Sequence, residues 1–271
     1  MNKMSIIGVG NMGGSILKGI LENNLYARED IEIYHPKRER LENLEKKYHV
    51  SGTTSIEELA KNASVILLAV KPQVMSEVAD ELKKFYSKNQ LIISIAAGIT
   101  IDFLEKNLGK DAKVVRVMPN TPLLVGEGVS TISLNKNVER EELAFVKGIF
   151  STLGMVEIVD EKLIDAAIGV CGSSPAYVYM FIEAMADGAV CCGMKRDLAY
   201  KMAAQSVLGA SKMVLETNIH PAKLKDMVCS PKGTTIEAVR SLEKNNFRSS
   251  VMEAVISACK KSEEMSGENN W

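Results

Sequence analysis

Histidine is scarce in this sequence and cysteine lacks pattern, which together argue against a metal centre or a disulfide framework. The three histidines, His35, His49 and His220, are isolated, and none has a partner at helical or zinc-finger spacing. The five cysteines, Cys171, Cys191, Cys192, Cys229 and Cys259, are odd in number, lack CxxC spacing and fall among apolar residues. They read as reduced thiols acting as small core residues. Charge of one sign is also missing: a formal net charge of −1 leaves no broad basic surface for nucleic acid and no acidic tail. The chain does not open on a basic segment followed by a long apolar run, so no secretory signal and a cytoplasmic location are expected. The most hydrophobic long stretch, residues 170–194, carries Glu183 and Asp187. It suits a buried helix better than a membrane span, so no membrane partner is expected.

What is present is a glycine turn in a telling place. Met4-Ser5-Ile6-Ile7 reads as a buried strand, Gly8-x-Gly10-x-x-Gly13 follows at once, and a helical segment continues through Ile16, Leu17 and Ile20. In that setting the glycines serve a tight turn, close approach of backbone to a pyrophosphate, and close helix–strand packing. The new helix would turn its free N–H groups toward the phosphates. Glycine turns also serve plain strand–helix connections; the flanking strand and helix favour a dinucleotide site.

The second strand, Ile31-Glu32-Ile33-Tyr34-His35, ends about 20 residues past the glycines, where an NAD enzyme would carry Asp or Glu for the ribose 2′-hydroxyl. That acid is absent. His35 and Pro36 stand there, with Lys37, Arg38 and Arg40 beyond. Cations and a neutral donor suit a 2′-phosphate, so NADPH is preferred and NADH remains possible. The plain alternative is that Lys37 to Arg40 merely begin a solvated helix.

At 271 residues the chain suits one large or two ordinary domains. Apolar runs alternate with helical stretches over the first 160 residues, which predicts an α/β domain with a Rossmann-type, doubly wound parallel sheet. Candidate strands are 4–7, 31–34, 65–70, 91–95 and 114–118, with 129–134 and 155–159 extending the sheet. The turns Lys71-Pro72-Gln73, Ala96-Ala97-Gly98 and Pro119-Asn120-Thr121-Pro122 should ring one crevice beyond the strand ends. After Asp160 the strand signal disappears, which sets residues 1–160 as cofactor domain and 161–271 as an all-helical domain. Ser173-Ser174-Pro175 reads as a serine-capped helix entrance. The helix that follows is apolar nearly all round and must be enclosed by other helices or a second subunit. An interwoven homodimer through this half is the expected assembly.

The chemistry is constrained by a further absence. No histidine is placed as general base for a hydroxyl substrate. Reducing a protonated C=N needs little proton transfer, because the iminium carbon is already electrophilic and the product amine keeps its proton; orientation and a few hydrogen bonds could then suffice. The segment Met227-Val228-Cys229-Ser230-Pro231-Lys232-Gly233-Thr234-Thr235-Ile236 suits such a substrate: exposed N–H groups at a helix start would bind a carboxylate, with hydroxyls for a ring nitrogen. It reads equally as an ordinary capped helix start.

Here the chain resembles the pyrroline-5-carboxylate reductases, NAD(P)H-dependent enzymes of the last step of proline synthesis. The motifs are GVGNMGGSI from Gly8, AVKPQ from Ala69, SIAAGI from Ser94, VRVMPNTP from Val115, LIDAAIG from Leu163, SPAYVYMFIEAMADGAV from Ser174, HPAKLKDMV from His220 and SPKGTTIEAVRSLE from Ser230. The resemblance implies that Ile7, Gly8, Val9, Gly10, Asn11 and Met12 wrap the pyrophosphate. It places His35 near the adenosine ribose or its 2′-phosphate, beside the Lys37 that the second strand already offers to that phosphate, and has Ala69, Val70, Lys71, Pro72 and Ala97 line the cofactor. Asn120 and Thr121 would lie at the nicotinamide end, and Glu161 matches a cofactor-contacting acid. Met227 would lie near the substrate, 1-pyrroline-5-carboxylate. Ser230 and the N–H groups of Gly233, Thr234 and Thr235 would hold its carboxylate, with the Thr235 hydroxyl facing the ring nitrogen as catalytic residue; the flanking Ile236 completes the expected substrate-binding set. Family members pair through the helical domain and often assemble as decamers.

Three departures are visible. Lys232 replaces the first glycine of the usual SPGGTT, where it would carry strain if φ is positive. Gly172-Ser173-Ser174-Pro175 replaces GSGP, with Ser174 still able to cap. Ser55-Ile56 replaces a frequent asparagine that contacts ribose. The alternatives are a related reductase of another cyclic imine or of a β-hydroxy acid, and a catalytically silent nucleotide-binding regulator. The β-hydroxy-acid reading wants a lysine on the long helix, and residues 170–192 have none.

Overall fold

Short runs of Ile, Val and Leu, unrelieved by polar residues, form strands only where both faces are covered. The computed structural model, which describes residues 3–268, places them so. Strands β1 (Met4–Ile7), β4 (Val65–Leu68) and β5 (Leu91–Ser94) are wholly buried. With β2 (Ile31–Tyr34), β3 (Ser51–Thr53), β6 (Lys113–Pro119), β7 (Gly128–Leu134) and β8 (Gly154–Ile158) they form one sheet ordered β3-β2-β1-β4-β5-β6-β7-β8.

From β3 to β6 every pairing is parallel, in the order of a dinucleotide-binding sheet. The expected parallel run stops there: β7 is antiparallel to β6, and β8 follows β7 in parallel. A parallel return needs a crossover of about a dozen residues or more. The link from β6 to β7 is a short 3-10 turn, Thr121–Val125, so the chain turns back. Helix α6 (Arg140–Ser151) supplies the crossover between β7 and β8, its start fixed by reciprocal capping between Glu139 and Glu142.

One face of the sheet is covered by α1 (Asn11–Glu22), α2 (Arg38–Tyr48) and α6 through Ile16, Leu17, Ile20, Leu41 and Phe150. The other is covered by α3 (Ile56–Asn62), α4 (Met75–Leu82) and α5 (Ile101–Leu108) through Leu59, Met75, Leu82 and Leu104. A short helix α7 (Ile164–Ala167) then runs into a π-helical turn, Ile168–Gly172.

Two compact units result: residues up to Gly172 together with those from Ala258 onward, and Ser173–Ser257. The second unit carries α8 (Ser174–Cys191), α9 (Arg196–Thr217), α10 (Pro221–Val228), α11 (Thr234–Lys244) and the first part of α12 (Phe247–Glu268). The serine cap expected at α8 is not formed. Ser173 takes the N-cap place with helical φ −93° and ψ −25° and makes no side-chain cap bond, and Ser174 lies within the helix. An N-cap serine needs extended backbone to reach the first-turn N–H groups. Apolar surface on α8 and α9 is open within the chain: Met180 and Leu215 are each 69% exposed. Cysteine departs from expectation for the same reason, since Cys171 is buried while Cys191 and Cys192 are exposed; all five are free thiols. No helix among the described residues is long and apolar enough to cross a membrane.

Candidate active site

The glycine turn divides its tasks by position. Gly8 has φ +104°, and a Cβ there would sit 2.6 Å from the Ala69 carbonyl carbon and 2.7 Å from the Val70 nitrogen. Only glycine lets the loops after β1 and β4 approach so closely. Ile7, fully buried, joins them further by accepting the Ala69 N–H at 2.8 Å, so its contribution is to anchor. A Cβ on Gly13 would run into the Gly8 carbonyl oxygen, which fixes α1 against the loop. Gly10 is different: no atom lies within 4 Å of where its Cβ would be. It is the N-cap of α1, no side chain caps the helix, and the first turn carries no acid. Val9 and Met12 are half-buried and Asn11 is exposed beside it. Open backbone at the positive end of a twelve-residue helix fits a diphosphate.

At the end of β2, the Lys37 N–H donates to His35 Nδ1 at 3.0 Å, folding the histidine over the start of α2. Arg38 is held by Glu42 and Glu45. Lys37 and Arg40 have no ion-pair partner among the described residues, so they are the free cations at this edge. Glu32 lies in mid-strand, in a small cleft with Lys3, Asp30 and Ser51, and burial followed by the nearby Glu58 raises its pKa. Ser55, in place of the frequent asparagine, caps α3 by accepting the Glu58 N–H at 3.2 Å.

The remaining loops after the parallel strands gather at the same sheet edge. Ala69, Val70 and Pro72 are half-buried, and Lys71 is exposed without a side-chain bond among the described residues. Ala97 is half-buried after β5, in a loop tied to β4 by Ile95 N–H to Leu68 O at 3.0 Å. Asn120 is buried and its amide is engaged at both ends: Oδ1 accepts the Val129 N–H at 2.8 Å and Nδ2 donates to the Cys171 carbonyl at 2.9 Å. Its side chain therefore braces the turn, and Thr121 is the exposed member of the pair.

Glu161 is bound from two sides. Its Oε1 accepts Arg116 Nη1 at 2.9 Å and the Ile101 N–H at 2.8 Å, closing the start of α5. Glu161 and Arg116 border a cavity of about 710 Å³ that also reaches Lys106, Asp165 and Ser266. Sequence reasoning passed over Arg116; the signal was a lone charged residue inside an apolar strand.

In the second unit, α10 begins with His220 Nδ1 accepting the Ala222 N–H at 3.2 Å, a cap in place of metal ligation. Among the described residues no cluster of His, Cys, Asp and Glu could hold a metal. Met227 near the end of α10 is 66% exposed. Beyond it the Gly233 N–H donates to the Ser230 carbonyl at 3.0 Å and closes a turn with Lys232 at φ +59°. A Cβ on Gly233 would strike the Ser230 hydroxyl. Gly233 is the N-cap of α11, and no side chain caps that helix.

The plain capped-helix reading therefore fails here. The hydroxyls of Ser230, Thr234 and Thr235 and the N–H groups of Thr234, Thr235 and Ile236 have no hydrogen-bond partner among the described residues. The expected amide set shifts by one residue, because the Gly233 N–H is already taken. Thr235 is half-buried, and Ser230, Thr234 and Ile236 are exposed.

Known proteins resemble this chain over nearly its whole length. A family model described as "Pyrroline-5-carboxylate reductase dimerisation" matches residues 161–265, and one described as "NADP oxidoreductase coenzyme F420-dependent" matches residues 3–98. The pyrroline-5-carboxylate reductase of Escherichia coli is 47% identical over 264 residues, covering 97% of this chain and 98% of that protein. The Arabidopsis thaliana enzyme of the same name is 42% identical, covering 97% and 95%. The solved Plasmodium falciparum pyrroline carboxylate reductase with NADP bound superposes with TM-score 0.88 at 37% identity, covering 97% and 98%. A Coxiella burnetii pyrroline-5-carboxylate reductase gives 0.90 at 34%, covering 98% of each chain. With this identity sustained across both units, the chain belongs to the pyrroline-5-carboxylate reductase family.

Proposed function

We propose that the protein reduces 1-pyrroline-5-carboxylate to L-proline, with NADPH as preferred reductant and NADH as a possible substitute, and with Thr235 as the catalytic residue. The observation that carries this is the start of α11: three unpartnered N–H groups and a free Thr235 hydroxyl, in a chain 47% identical to a reductase of that name. A bound nicotinamide supplies the hydride. The free amides of Thr234, Thr235 and Ile236 hold the substrate carboxylate at the positive end of the helix. Ser230 adds a hydroxyl, and the exposed Met227 and Ile236 cover apolar ring carbons. The Thr235 oxygen accepts the iminium N–H and so fixes the C=N plane. No residue needs to take a proton, since the ring nitrogen keeps its own through the step.

Gly8, Val9, Gly10, Asn11 and Met12 hold the diphosphate in this reading, anchored by Ile7. His35 and Lys37 face the ribose phosphate, and Ala69, Val70, Lys71, Pro72, Ala97 and Thr121 line the cofactor. Asn120 and Glu161 keep that wall in place. The division into a cofactor domain over 1–160 and a substrate and dimerisation domain over 161–271 belongs to the same reading. The open apolar faces of α8 and α9 support a homodimer, and sedimentation would distinguish it from a decamer of five dimers. Free thiols throughout support a cytoplasmic location.

The test is NADPH oxidation with the imine by wild type and Thr235→Ala. Loss of one hydrogen bond to a charged group lowers kcat/KM by about 10- to 100-fold. Undiminished kcat/KM would remove Thr235 from the mechanism, and an inactive wild type would remove the activity.

A further inference from the structure

Lys232 occupies a place that both backbone and charge oppose. Among the described residues five other than glycine have positive φ: Asn24, His49, Asn218, Asn246 and Lys232. Four are of types that tolerate the left-handed region; a lysine gains nothing local from it. Its charge also lies immediately before the N-cap of α11, where the helix end is already positive and cations are disfavoured. Nothing in the surrounding segment answers that charge. Asp226 is engaged by Lys225, Glu237 by Arg240 and Glu243 by Arg248, while Lys232 is exposed and without an ion pair among the described residues. The result is a cation next to three unpartnered amides, which only an incoming anion would neutralise.

We propose that Lys232 is a specificity-determining residue that selects substrates for their carboxylate and raises their affinity by a screened, charge-only attraction. The proposal rests on the carboxylate reading of the α11 start. The side chain takes no part in hydride transfer, so its effect falls on KM and leaves kcat to Thr235 and the amides. Being exposed, the charge acts through water and weakens as salt shortens the Debye length.

The experiment compares wild type with Lys232→Met, Lys232→Gly and Lys232→Arg, using 1-pyrroline-5-carboxylate and the carboxylate-free 1-pyrroline at low and high potassium chloride. The methionine variant removes charge and keeps the strain, the glycine variant removes both, and the arginine variant keeps both. The expected result is KM for the carboxylate substrate raised about threefold at low salt in the methionine and glycine variants alike. Arginine restores it, high salt erases it, and KM for NADPH and for 1-pyrroline does not move. Equal KM values in active enzymes would overturn the proposal alone. So would a glycine variant matching wild type while methionine does not, since the effect would then belong to the backbone. A wild type that leaves the imine unreduced overturns the underlying reading, and this proposal with it.

Discussion

Arg116 and Glu161 form a buried-to-surface ion pair of 2.9 Å, with 5% of the arginine and 30% of the glutamate side chain exposed. The asymmetry decides what each deletion does. Glu161→Ala leaves a guanidinium charge buried without an answer, and an Ile101 N–H without its acceptor. That costs about 3 kcal/mol. Arg116→Met leaves a carboxylate still bonded to Ile101 and reachable by water, a loss of about 1 kcal/mol. Urea unfolding of both variants should show Glu161→Ala with the lower midpoint; the reverse order would contradict the burial argument.

Gly8 and Gly10 separate fold from binding. Gly8→Ala meets both a positive φ and the Ala69 carbonyl, and the left-handed strain alone is about 1–3 kcal/mol. Gly10→Ala meets open space at φ −85°, so stability should stay within about 0.5 kcal/mol of wild type. If the turn holds the diphosphate as proposed, the added methyl group obstructs it, and NADPH affinity should fall about tenfold or more. Calorimetry and a fluorescence titration measure the two effects. A Gly10→Ala protein binding NADPH as wild type does would displace the diphosphate from this turn.

Cofactor choice should reside in the unpaired cations after β2. Exchanging Lys37 and Arg40 for glutamine should raise KM for NADPH about fivefold and leave NADH nearly unchanged, each exposed charge contributing up to about 1 kcal/mol. Arg38, held by Glu42 and Glu45, should matter less. Equal effects on both cofactors would place the 2′-phosphate elsewhere.

Alkaline stability has two named sources. Burial, with Asp30 adding to it, pushes the Tyr26 phenol up to about 12, and its buried hydroxyl has no partner among the described residues. Hydrogen bonds that the ammonium donates to Glu139 and then Glu142 raise the Lys113 pKa above its ordinary 10.5. In both cases the folded state keeps a proton that the unfolded chain loses first, so unfolding releases protons. Stability is fully present below about pH 10 and declines as pH climbs through the folded values. Tyr26→Phe should be near neutral at pH 7, since no hydrogen bond is lost, and should flatten the decline above pH 10. Denaturant titrations across that range measure it; an unchanged slope would contradict the assignment to Tyr26.

The sequence disclosed those elements whose signal is local. Ile31–Tyr34 and Leu91–Ser94 were legible because fully or half-buried strands write themselves as Ile and Leu. Ser51–Thr53 was not, being three residues of little apolar character at the sheet edge. The reversal at β7 was hidden because strand direction depends on the length of the connection, which periodicity does not report. At the site, the glycine turn and the SPKGTT segment stood out as continuous motifs. Glu161 reaches Arg116 across 45 residues, and Asn120 is engaged by Val129 and Cys171 from separate elements. Those engagements exist only once the chain is folded, as does the Ser230 carbonyl that takes the Gly233 N–H.

The most direct measurement of the proposed reaction is isotopic. NADPH deuterated at the hydride-donating carbon of the nicotinamide is incubated with the protein and 1-pyrroline-5-carboxylate, and the product is examined by mass spectrometry and NMR. Direct hydride delivery to the iminium carbon puts one deuterium on the δ-carbon of proline and none on its α-carbon. Proline without deuterium, deuterium elsewhere in the ring, or no proline at all would contradict it.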